Sequence, residues 1–356
     1  MALIFEDKIV VVTGGTGSLG KVLVKRLLSG KHGKPKKIIV FSRDEAKQHY
    51  MRVEYQQMRK RVTDDVIYHN FERLLEFRIG DVRDYHSVAS VLKNADIVIN
   101  AAALKQVPSC EYFPYEAVQT NITGAENIVR ALKELDNRVE TVVGVSTDKA
   151  CKPVNVMGMT KALQERVFIS ANITMPKVRF VCVRYGNVLA SRGSVIPLFH
   201  EQIKNGGPVT ITTESMTRFL LPLEQAVDTI VFAVQNAKAG ETIVPKVPAA
   251  SMVNVAMALI GDRPVTRLVT GIRPGEKVHE IMVSDEEAWR TYDRGSYYAI
   301  AAMLPELNHD ETASLPLSKE YSSADEVLDL ADTYALLEKH NLLLNQEYAE
   351  EGEFLR

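Results

Sequence analysis

The sequence predicts an α/β fold, a doubly wound parallel sheet followed by a smaller C-terminal lobe. Short runs of β-branched residues alternate with helical patterns over the first 190 residues. These runs are apolar throughout, as suits strands that are covered on both faces. Their alternation with helices favours right-handed crossovers between parallel strands. Beyond these residues, frequent glycine and proline break the chain into short elements, which indicates the second lobe.

The individual elements follow from these patterns. The predicted strands are Ile9–Thr13, Lys37–Phe41, Glu76–Ile79, Ile97–Ala101, Thr141–Ser146 and Arg179–Arg184. The helical patterns between them include Ser18–Leu28, Val88–Leu92, Pro114–Leu135 and Met159–Asn172. The long charged segment Glu45–Phe71 is also helical in pattern. We expect a solvated helix there, with a contact between protomers as the alternative.

The domain boundaries are less sharp than the elements. We expect residues 1–190 to form the first domain, residues 191–330 the lobe, and residues 331–356 a C-terminal helix and tail. In an alternative division, elements from 215–245, such as a helix over Pro222–Asn236, belong to the main sheet domain. The last twelve residues, Asn345–Arg356, carry several glutamates and few apolar side chains, so we expect them to be frayed.

The composition of the 356 residues excludes several classes of protein. A charged fraction of 25% and a hydrophobic fraction of 46% are typical of a folded globular enzyme. The formal net charge of −2 argues against a nucleic-acid-binding protein. The chain shows no long apolar run and no signal peptide, so we expect no membrane partner and a cytoplasmic location. The three scattered cysteines predict neither disulfides nor a metal site.

A glycine-rich turn, within KIVVVTGGTGSLG at 8–20, lies between the first strand and the first helix. The spacing of Gly14, Gly17 and Gly20 lets the chain turn sharply, approach a pyrophosphate and pack the helix on the strand. The N-terminus of that helix offers N–H groups and a partial positive charge to phosphate. The turn therefore predicts a dinucleotide site in the first domain. Its predicted residues are Gly14, Thr16, Gly17, Ser18, Leu19 and Gly20.

The residues after the second strand indicate which dinucleotide binds. Ser42 and Arg43 come first there, and an arginine pairs with a 2′-phosphate by charge-assisted hydrogen bonds. We therefore expect NADP, with NAD as the alternative. Asp81 and Val82 follow the third strand, and we expect them to contact the adenine. Small residues after the fourth strand let the backbone lie against the cofactor, and they are Ala101, Ala102 and Ala103.

The fifth predicted strand ends in the segment Ser146–Lys149, which reads STDK. Open α/β sheets bind their ligands at the carboxyl ends of the strands. Met157 and Lys161 follow on the next helix, four residues apart and so on one face. The arrangement resembles the extended short-chain dehydrogenase/reductases, whose Rossmann fold carries a Tyr-x-x-x-Lys pair at this place. Met157 stands where the tyrosine would be, and a thioether does not transfer protons.

Further segments resemble one branch of that superfamily, the nucleotide-sugar 4,6-dehydratases of the polysaccharide-biosynthesis family. The resemblance spans residues 5–330 approximately, and some members of the family carry Met-x-x-x-Lys, as this chain does at Met157. The matching segments are TGGTGSLG, FSRDE, AAALKQVPSCEYFPYEAVQTNI, STDKA, RYGNVLASRGSVIPLF, MTRF and IRPGEKVHEIMVS.

The resemblance implies a lyase that uses NADP to dehydrate a nucleotide-activated N-acetylglucosamine to a 4-keto-6-deoxy sugar nucleotide. The implied substrate is UDP-N-acetylglucosamine, with the GDP-linked sugar as an alternative. The implied product serves bacterial glycan or nonulosonic acid biosynthesis.

The resemblance also implies a role for each residue near the end of the fifth strand. Asp148 would protonate the leaving C6 hydroxyl, Lys149 would remove the C5 proton, and Thr147 would hold the C4 oxygen. Lys161 would hold the nicotinamide ribose. Lys149 must be neutral to act, so we expect partial burial and the nearby Lys161 to lower its pKa. The acceptor of the C4 hydroxyl proton stays open between Asp148 and an ordered water.

Residues of the second lobe are expected to bind the sugar nucleotide. Arginine suits two phosphate charges, and the resemblance implies that Arg218 and Arg273 hold the diphosphate. We expect Glu276 to accept hydrogen bonds from ribose hydroxyls. Asn187 is expected to contact the diphosphate or the sugar, and Val195 to line the base pocket.

Two residues near the fourth strand complete the predicted site. We expect Lys105 to reach the cofactor ribose or the sugar. By resemblance Asn121 is the superfamily's structural asparagine, with a polar contact inside its helix as the alternative.

Two other classes of function compete with the dehydratase. One is a nucleotide-sugar epimerase or a net-redox dehydrogenase on the same scaffold, although an epimerase ordinarily needs the tyrosine. The other is a non-catalytic nucleotide-sensing protein, against which the intact Asp148, Lys149 and Lys161 argue. Because family members assemble through a helical interface, we expect a homo-oligomer, a dimer or higher.

Overall fold

A computed structural model of the chain describes residues 3–58, 65–189, 194–307 and 316–344. The strands are β1 (Ile9–Thr13), β2 (Lys37–Ser42), β3 (Leu75–Ile79), β4 (Ile97–Asn100), β5 (Thr141–Val145), β6 (Arg179–Val183), β7 (Val209–Ile211), β8 (Thr217–Phe219), β9 (Thr242–Pro245), β10 (Ala249–Ser251), β11 (Arg267–Val269), β12 (Ile281–Val283), β13 (Thr291–Arg294), β14 (Tyr297–Ile300), β15 (Tyr321–Ser322) and β16 (Val327–Leu328).

Helices of at least one α-helical turn connect these strands. They are α1 (Ser18–Leu28), α2 (Glu45–Met58), α3 (Asp65–Leu74), α4 (Tyr85–Leu92), α5 (Val107–Tyr112), α6 (Pro114–Ala117), α7 (Gly124–Glu134), α8 (Val156–Thr174), α9 (Val195–Lys204), α10 (Leu223–Asn236), α11 (Met252–Ile260), α12 (Asp285–Ala288) and α13 (Leu330–Lys339). A π-helical turn covers Val118–Thr123, and 3₁₀ turns cover Asp148–Ala150 and Pro305–Leu307.

The described residues form a central sheet of nine strands in the order β13-β14-β9-β6-β5-β4-β1-β2-β3. The strands from β3 to β9 run parallel, and β14 and β13 continue the sheet in antiparallel pairing. The α/β doubly wound fold that the sequence predicts is therefore confirmed. All five residues of β1 are buried, because helices cover both faces of the sheet.

The two faces carry different helices. On one face the side chains of α1 and α10 pack over the sheet, together with residues of α2 and α3. On the other face α4, α7 and α8 pack over it. Helix α10 thus belongs to the main layer, and Arg26 of α1 forms an ion pair with Asp228 of α10.

Three sheet strands come from the part of the chain beyond residue 190. Strand β9 pairs with β6, so part of the segment 215–245 does return to the main sheet. The hairpin of β13 and β14 extends the sheet further and has no counterpart among the predicted strands. The lobe itself contains α9, α11 and α13, which share an apolar core with the short strands β7 and β10.

Two predicted helices differ from those observed. The segment Glu45–Phe71 is not simply a solvated helix, because Met51 and Tyr55 on one face of α2 are buried and Tyr55 stacks on Phe71 of α3. The predicted helix Pro114–Leu135 is divided by the π-helical turn. The other predicted helices and strands match the observed ones within a few residues. The tail Asn345–Arg356 lies outside the described residues.

Within the described parts of the chain, no helix combines the length and the apolar character that a membrane span needs.

Candidate functional site

A cleft of about 730 Å³ opens at the carboxyl ends of the parallel strands, between the sheet and the lobe. This volume is in the usual range for a cofactor or substrate site. The structure brings nearly all the predicted site residues to this cleft. Those that line it are Gly14, Thr16, Gly17, Ser18, Leu19, Gly20, Ser42, Arg43, Asp81, Val82, Ala101, Ala102, Ala103, Lys105, Thr147, Lys149, Met157, Lys161, Asn187, Val195, Arg218, Arg273 and Glu276. Asp148 differs, because it is fully buried behind its two neighbours.

The glycine turn forms one end of the cleft. Gly14 has a φ of +66°, and a Cβ atom there would lie 2.8 Å from the backbone of Ala102. A Cβ at Gly20 would lie 2.5 Å from Gly15, so only glycine lets α1 approach the turn this closely. Helix α1 begins after Gly17 without a side-chain cap, which leaves its first N–H groups for phosphate. The cradle therefore fits a dinucleotide pyrophosphate.

The end of β2 presents polar and charged groups to the same cleft. The Ser42 hydroxyl accepts a hydrogen bond of 3.0 Å from Gln48. Arg43 is more than half exposed and lies 3.7 Å from the Asp81 carboxylate. Arg83 donates two bonds of 2.9 and 2.7 Å to that carboxylate. Burial raises the pKa of Asp81, but the Arg83 guanidinium outweighs it, so the pKa lies below its usual value.

The 3₁₀ turn after β5 places Thr147, Asp148 and Lys149 in one hydrogen-bonded chain. The Thr147 hydroxyl donates to Asp148 Oδ1 at 2.8 Å, and Lys149 Nζ donates to the same oxygen at 3.0 Å. Lys149 also donates to Asn187 Oδ1 at 3.2 Å. Asp148 Oδ2 is buried and has no partner within the described residues. An acid and a base thus lie in contact beside the cleft.

The predicted pKa of Lys149 is wrong in direction. Burial does lower it, but the carboxylates of Asp148 and Glu280 outweigh burial, and the pKa is raised above its usual value. Lys149 Nζ lies 3.1 Å from Glu280 Oε1, an ion pair that joins residues 131 positions apart. In the free protein Lys149 is therefore an ammonium held between two carboxylates.

Lys161 and Met157 lie one turn apart on α8. The Lys161 ammonium donates to the carbonyl of Val145 at 2.6 Å and to the side chain of Gln164. Burial lowers the pKa of Lys161 to about 8. Met157 packs in a small buried cluster with Cys110 and Ala117. A sulfur atom among apolar side chains cannot serve as a proton donor or acceptor at this position.

Asn121 connects the loop after β4 to α8. Its amide accepts a hydrogen bond from the Leu104 N–H at 2.8 Å, and donates to the Leu104 carbonyl and to Thr160 at 3.0 and 2.9 Å. It lies in the π-helical turn, a helix type that is often found at functional sites. These bonds reach other elements, so they are not a contact inside its own helix, and the role implied by the superfamily stays a prediction.

The two predicted diphosphate arginines have different surroundings. Arg218 is buried, and its guanidinium donates to the carbonyls of Thr217, Val278 and Lys277 at 2.7, 3.1 and 2.9 Å. Arg273 is exposed at the mouth of the cleft. The nearby Glu276 Oε2 is buried and has no partner within the described residues. Arg273 is the more accessible cation for a diphosphate, and both roles stay predictions.

Three of the lining residues that sequence reasoning missed make contacts across the cleft. Glu280 pairs with Lys149, and Lys277 donates to the carbonyl of Cys151 at 2.6 Å. Asn155 caps α8 by accepting from the Gly158 N–H and donates to the carbonyl of Gly275. Glu280 and Lys277 lie in the matching segment IRPGEKVHEIMVS, but nothing in that string indicates that they contact the end of β5.

Comparisons with known proteins agree with this arrangement. The sequence profile of a family described as "Polysaccharide biosynthesis protein" matches residues 10–302. A Rickettsia typhi protein named UDP-glucose 4-epimerase is 40% identical over 358 residues, which cover 98% of this chain and 98% of the relative. The crystal structure of Pen from Bacillus thuringiensis is 33% identical, with a TM-score of 0.84, and covers 95% of this chain and 99% of Pen.

A more distant structure shows the fold alone. A double mutant of DesIV, a dTDP-glucose 4,6-dehydratase from Streptomyces venezuelae, is 19% identical, with a TM-score of 0.62. The match covers 76% of this chain and 86% of DesIV. Since the family profile spans most of the sequence and the Rickettsia relative matches nearly its full length, the chain belongs to the polysaccharide biosynthesis protein family.

Proposed function

We propose that this protein is an NADP-dependent 4,6-dehydratase that acts on UDP-N-acetylglucosamine. The observation that carries the proposal is the chain of Thr147, Asp148 and Lys149 beside a cleft whose Tyr-x-x-x-Lys position holds Met157. An acid and a base in contact suit the elimination of water across two adjacent carbons. The names of the relatives support a nucleotide-sugar substrate, since they include a UDP-glucose 4-epimerase and a dTDP-glucose 4,6-dehydratase.

The cofactor would lie along the glycine turn, with its ribose near Lys161. When bound, the cofactor would supply hydride transfer, that is, oxidation at C4 of the hexose and reduction at C6. A C4 ketone makes the C5 proton acidic enough for an amine to remove. The residues of this chain then have only protons to move, and no reducing equivalent leaves the site.

The hydrogen-bonded chain gives each proton a route. The C4 hydroxyl proton passes to the Thr147 oxygen as the Thr147 proton passes to Asp148 Oδ1, 2.8 Å away. Asp148 then returns a proton to Thr147, which lines the cleft and passes its own proton to the C6 hydroxyl, and that hydroxyl leaves as water. Lys149 removes the C5 proton and later returns a proton to C5. The C4 hydroxyl proton thus ends in the water, and the missing tyrosine is not needed.

The product formed in deuterated water tests this proposal. Proton NMR of a reaction with UDP-N-acetylglucosamine should show a 4-keto-6-deoxy sugar with deuterium at C5, and the absorbance of reduced nicotinamide should show no net increase. D148N and K149A should each lower kcat by at least about 100-fold while the affinity for the cofactor stays unchanged. A released reduced cofactor, or a variant that keeps its activity, would contradict the proposal. The same reaction with GDP-N-acetylglucosamine compares the alternative substrate.

A 4-epimerase is the second candidate, because relatives that are 40% identical are named UDP-glucose 4-epimerase. An epimerase must move the C4 hydroxyl proton in both directions, and the route through Thr147 and Asp148 would serve that reaction too. The two reactions differ at C6, since an epimerase keeps that hydroxyl. An NMR spectrum with an intact C6 hydroxymethyl group and an inverted C4 would therefore favour the epimerase.

The end of β2 supports NADP over NAD. Arg43 and Lys47 both line the cleft there, and both side chains are accessible to a 2′-phosphate. R43A should raise the KM for NADP about tenfold or more, since a charge-assisted bond to phosphate is lost, and change the KM for NAD little. K31A, on the surface near α1, serves as the matched loss of a positive charge. A preference of the wild type for NAD, the dinucleotide with which DesIV was crystallised, would contradict the proposal.

A further inference from the structure

Glu280 lies against the proposed base, although it comes from the lobe. Its carboxylate is buried, with Oε1 3.1 Å from Lys149 Nζ and 3.8 Å from Arg218 Nε. Its Oε2 is buried and has no hydrogen-bond partner within the described residues. The backbone holds this position firmly, because Ser323 Oγ accepts from the Glu280 N–H and the Ser323 N–H donates to the Glu280 carbonyl.

The proposed reaction needs two proton acceptors at the same time. Asp148 must be ionised when it takes the C4 hydroxyl proton through Thr147, and it keeps that proton until the C6 hydroxyl leaves. Lys149 must lose a proton before it can remove the proton from C5. If Asp148 took the lysine proton, it could not also take the one from Thr147. A second carboxylate in contact with Lys149 gives the lysine proton a place to go, and Glu280 occupies that position.

We propose that Glu280 is a positioning residue for Lys149, which orients the amine and accepts its proton so that Lys149 meets the substrate as a neutral base. The N–H bond of the ammonium breaks and an O–H bond forms on Glu280 Oε1. The lone pair of Lys149 then takes the C5 proton, and Lys149 later returns a proton to C5. Glu280 finally gives its proton back to Lys149. This step rests on the proposed dehydratase function.

The hydrogen bonds distinguish the two carboxylates. Asp148 Oδ1 accepts from both Thr147 and Lys149. Glu280 Oε1 lies 3.1 Å from Lys149 Nζ, and its Oε2 is buried without a partner within the described residues, as Asp148 Oδ2 also is. The other charged groups that face this cluster are Arg218 and Lys277. Of the two carboxylates, Asp148 is thus the one that Thr147 engages, and Glu280 faces Lys149 from the other side of the chain's contacts.

E280Q tests the proposal, because glutamine keeps the shape and an oxygen acceptor but cannot take the proton. We expect kcat to fall about 100-fold with an unchanged KM for the sugar nucleotide. Oxidation at C4 does not need Lys149, so the absorbance of reduced nicotinamide should accumulate within a single turnover. The kcat of E280Q should then rise about tenfold per pH unit above neutral pH, because the lysine proton must leave to solvent. The wild-type profile should be flatter there.

Two further variants separate this role from a structural one. E280D keeps a carboxylate, and its kcat should be about tenfold higher than that of E280Q. E241Q changes another buried glutamate, which pairs with Arg294 away from the cleft, and should keep the wild-type pH profile. If E280Q has the kcat and pH profile of the wild type, or if E280D loses cofactor affinity together with E280Q, the proposal is overturned. If the wild type forms no 4-keto-6-deoxy product, the proposed function itself fails.

Discussion

Burial alone lowers the pKa of a lysine, and the lysines beside the cleft show how neighbours change that outcome. Lys161 is surrounded by a carbonyl and an amide, so burial dominates and lowers its pKa to about 8. Lys149 is equally buried, but the carboxylates of Asp148 and Glu280 raise its pKa. Two buried lysines beside one cleft thus have pKa values shifted in opposite directions.

The lowered pKa of Lys161 predicts how the stability of the free protein depends on pH. In the unfolded chain the lysine has a pKa of about 10.5, so between about 8 and 10.5 the unfolded state binds the extra proton. Stability should therefore rise with pH in that window, by about 2 kcal/mol from about pH 7.5 to about pH 9.5. Urea unfolding of the wild type and of K161M measures it. A wild-type rise that K161M reproduces in full would contradict the assignment.

At the scale of elements, the first turn of α8 organises both sides of the cleft. Asn155 accepts from the Gly158 N–H at 2.8 Å and donates to the Gly275 carbonyl at 2.7 Å, which ties the loop of Arg273 and Glu276 to the helix. A Cβ at Gly158 would lie 2.1 Å from the carbonyl oxygen of Lys149. The missing side chain therefore lets the 3₁₀ turn Asp148–Ala150 pack on α8.

The two bonds of Asn155 can be separated by substitution. N155D keeps an acceptor for the helix cap but has no donor for Gly275, so we expect near wild-type stability and a KM for the sugar nucleotide raised several-fold. N155A loses both bonds and should also lose about 1 kcal/mol of stability. Thermal unfolding and steady-state kinetics measure the two effects. An unchanged KM in N155D would show that the loop does not depend on this bond.

At the scale of the whole molecule, a buried ion network joins distant parts of the chain. Arg184, at the end of β6, donates to Glu165 of α8 and to Glu287 of α12, both at 2.7 Å. Burial raises the pKa of Glu287, but Arg184 outweighs it and holds the pKa at about 2. One guanidinium thus ties α8 and α12 to the end of a central strand.

Substitution of Arg184 should show how much this network contributes to the free energy of unfolding. R184M leaves two buried carboxylates without their partner, and we expect the free energy of unfolding to fall by about 3–5 kcal/mol. R130A breaks an exposed pair with Glu134 on α7 and should leave the midpoint of urea denaturation unchanged. A midpoint for R184M equal to that of R130A would contradict the prediction.

Features that are local along the chain could be predicted from the amino-acid sequence. The strand from Ile9 to Thr13, the turn at Gly14 and the charged end of β5 can be predicted because period, turn chemistry and chain order are local properties. The parallel direction of the first six strands could be predicted because a helix connects each strand to the next. For the same reason the cofactor end of the cleft could be predicted almost residue by residue.

The contacts between side chains across the cleft depend on the folded arrangement and could not be predicted. Glu280 and Lys149 are 131 positions apart, and nothing in the spacing around either residue predicts their contact. The hairpin of β13 and β14 joins the sheet through the antiparallel pairing of β14 with β9, a strand from a separate part of the chain. The direction of the pKa shift of Lys149 reversed because a charge interaction depends on distance in space and on burial, and folding alone sets both.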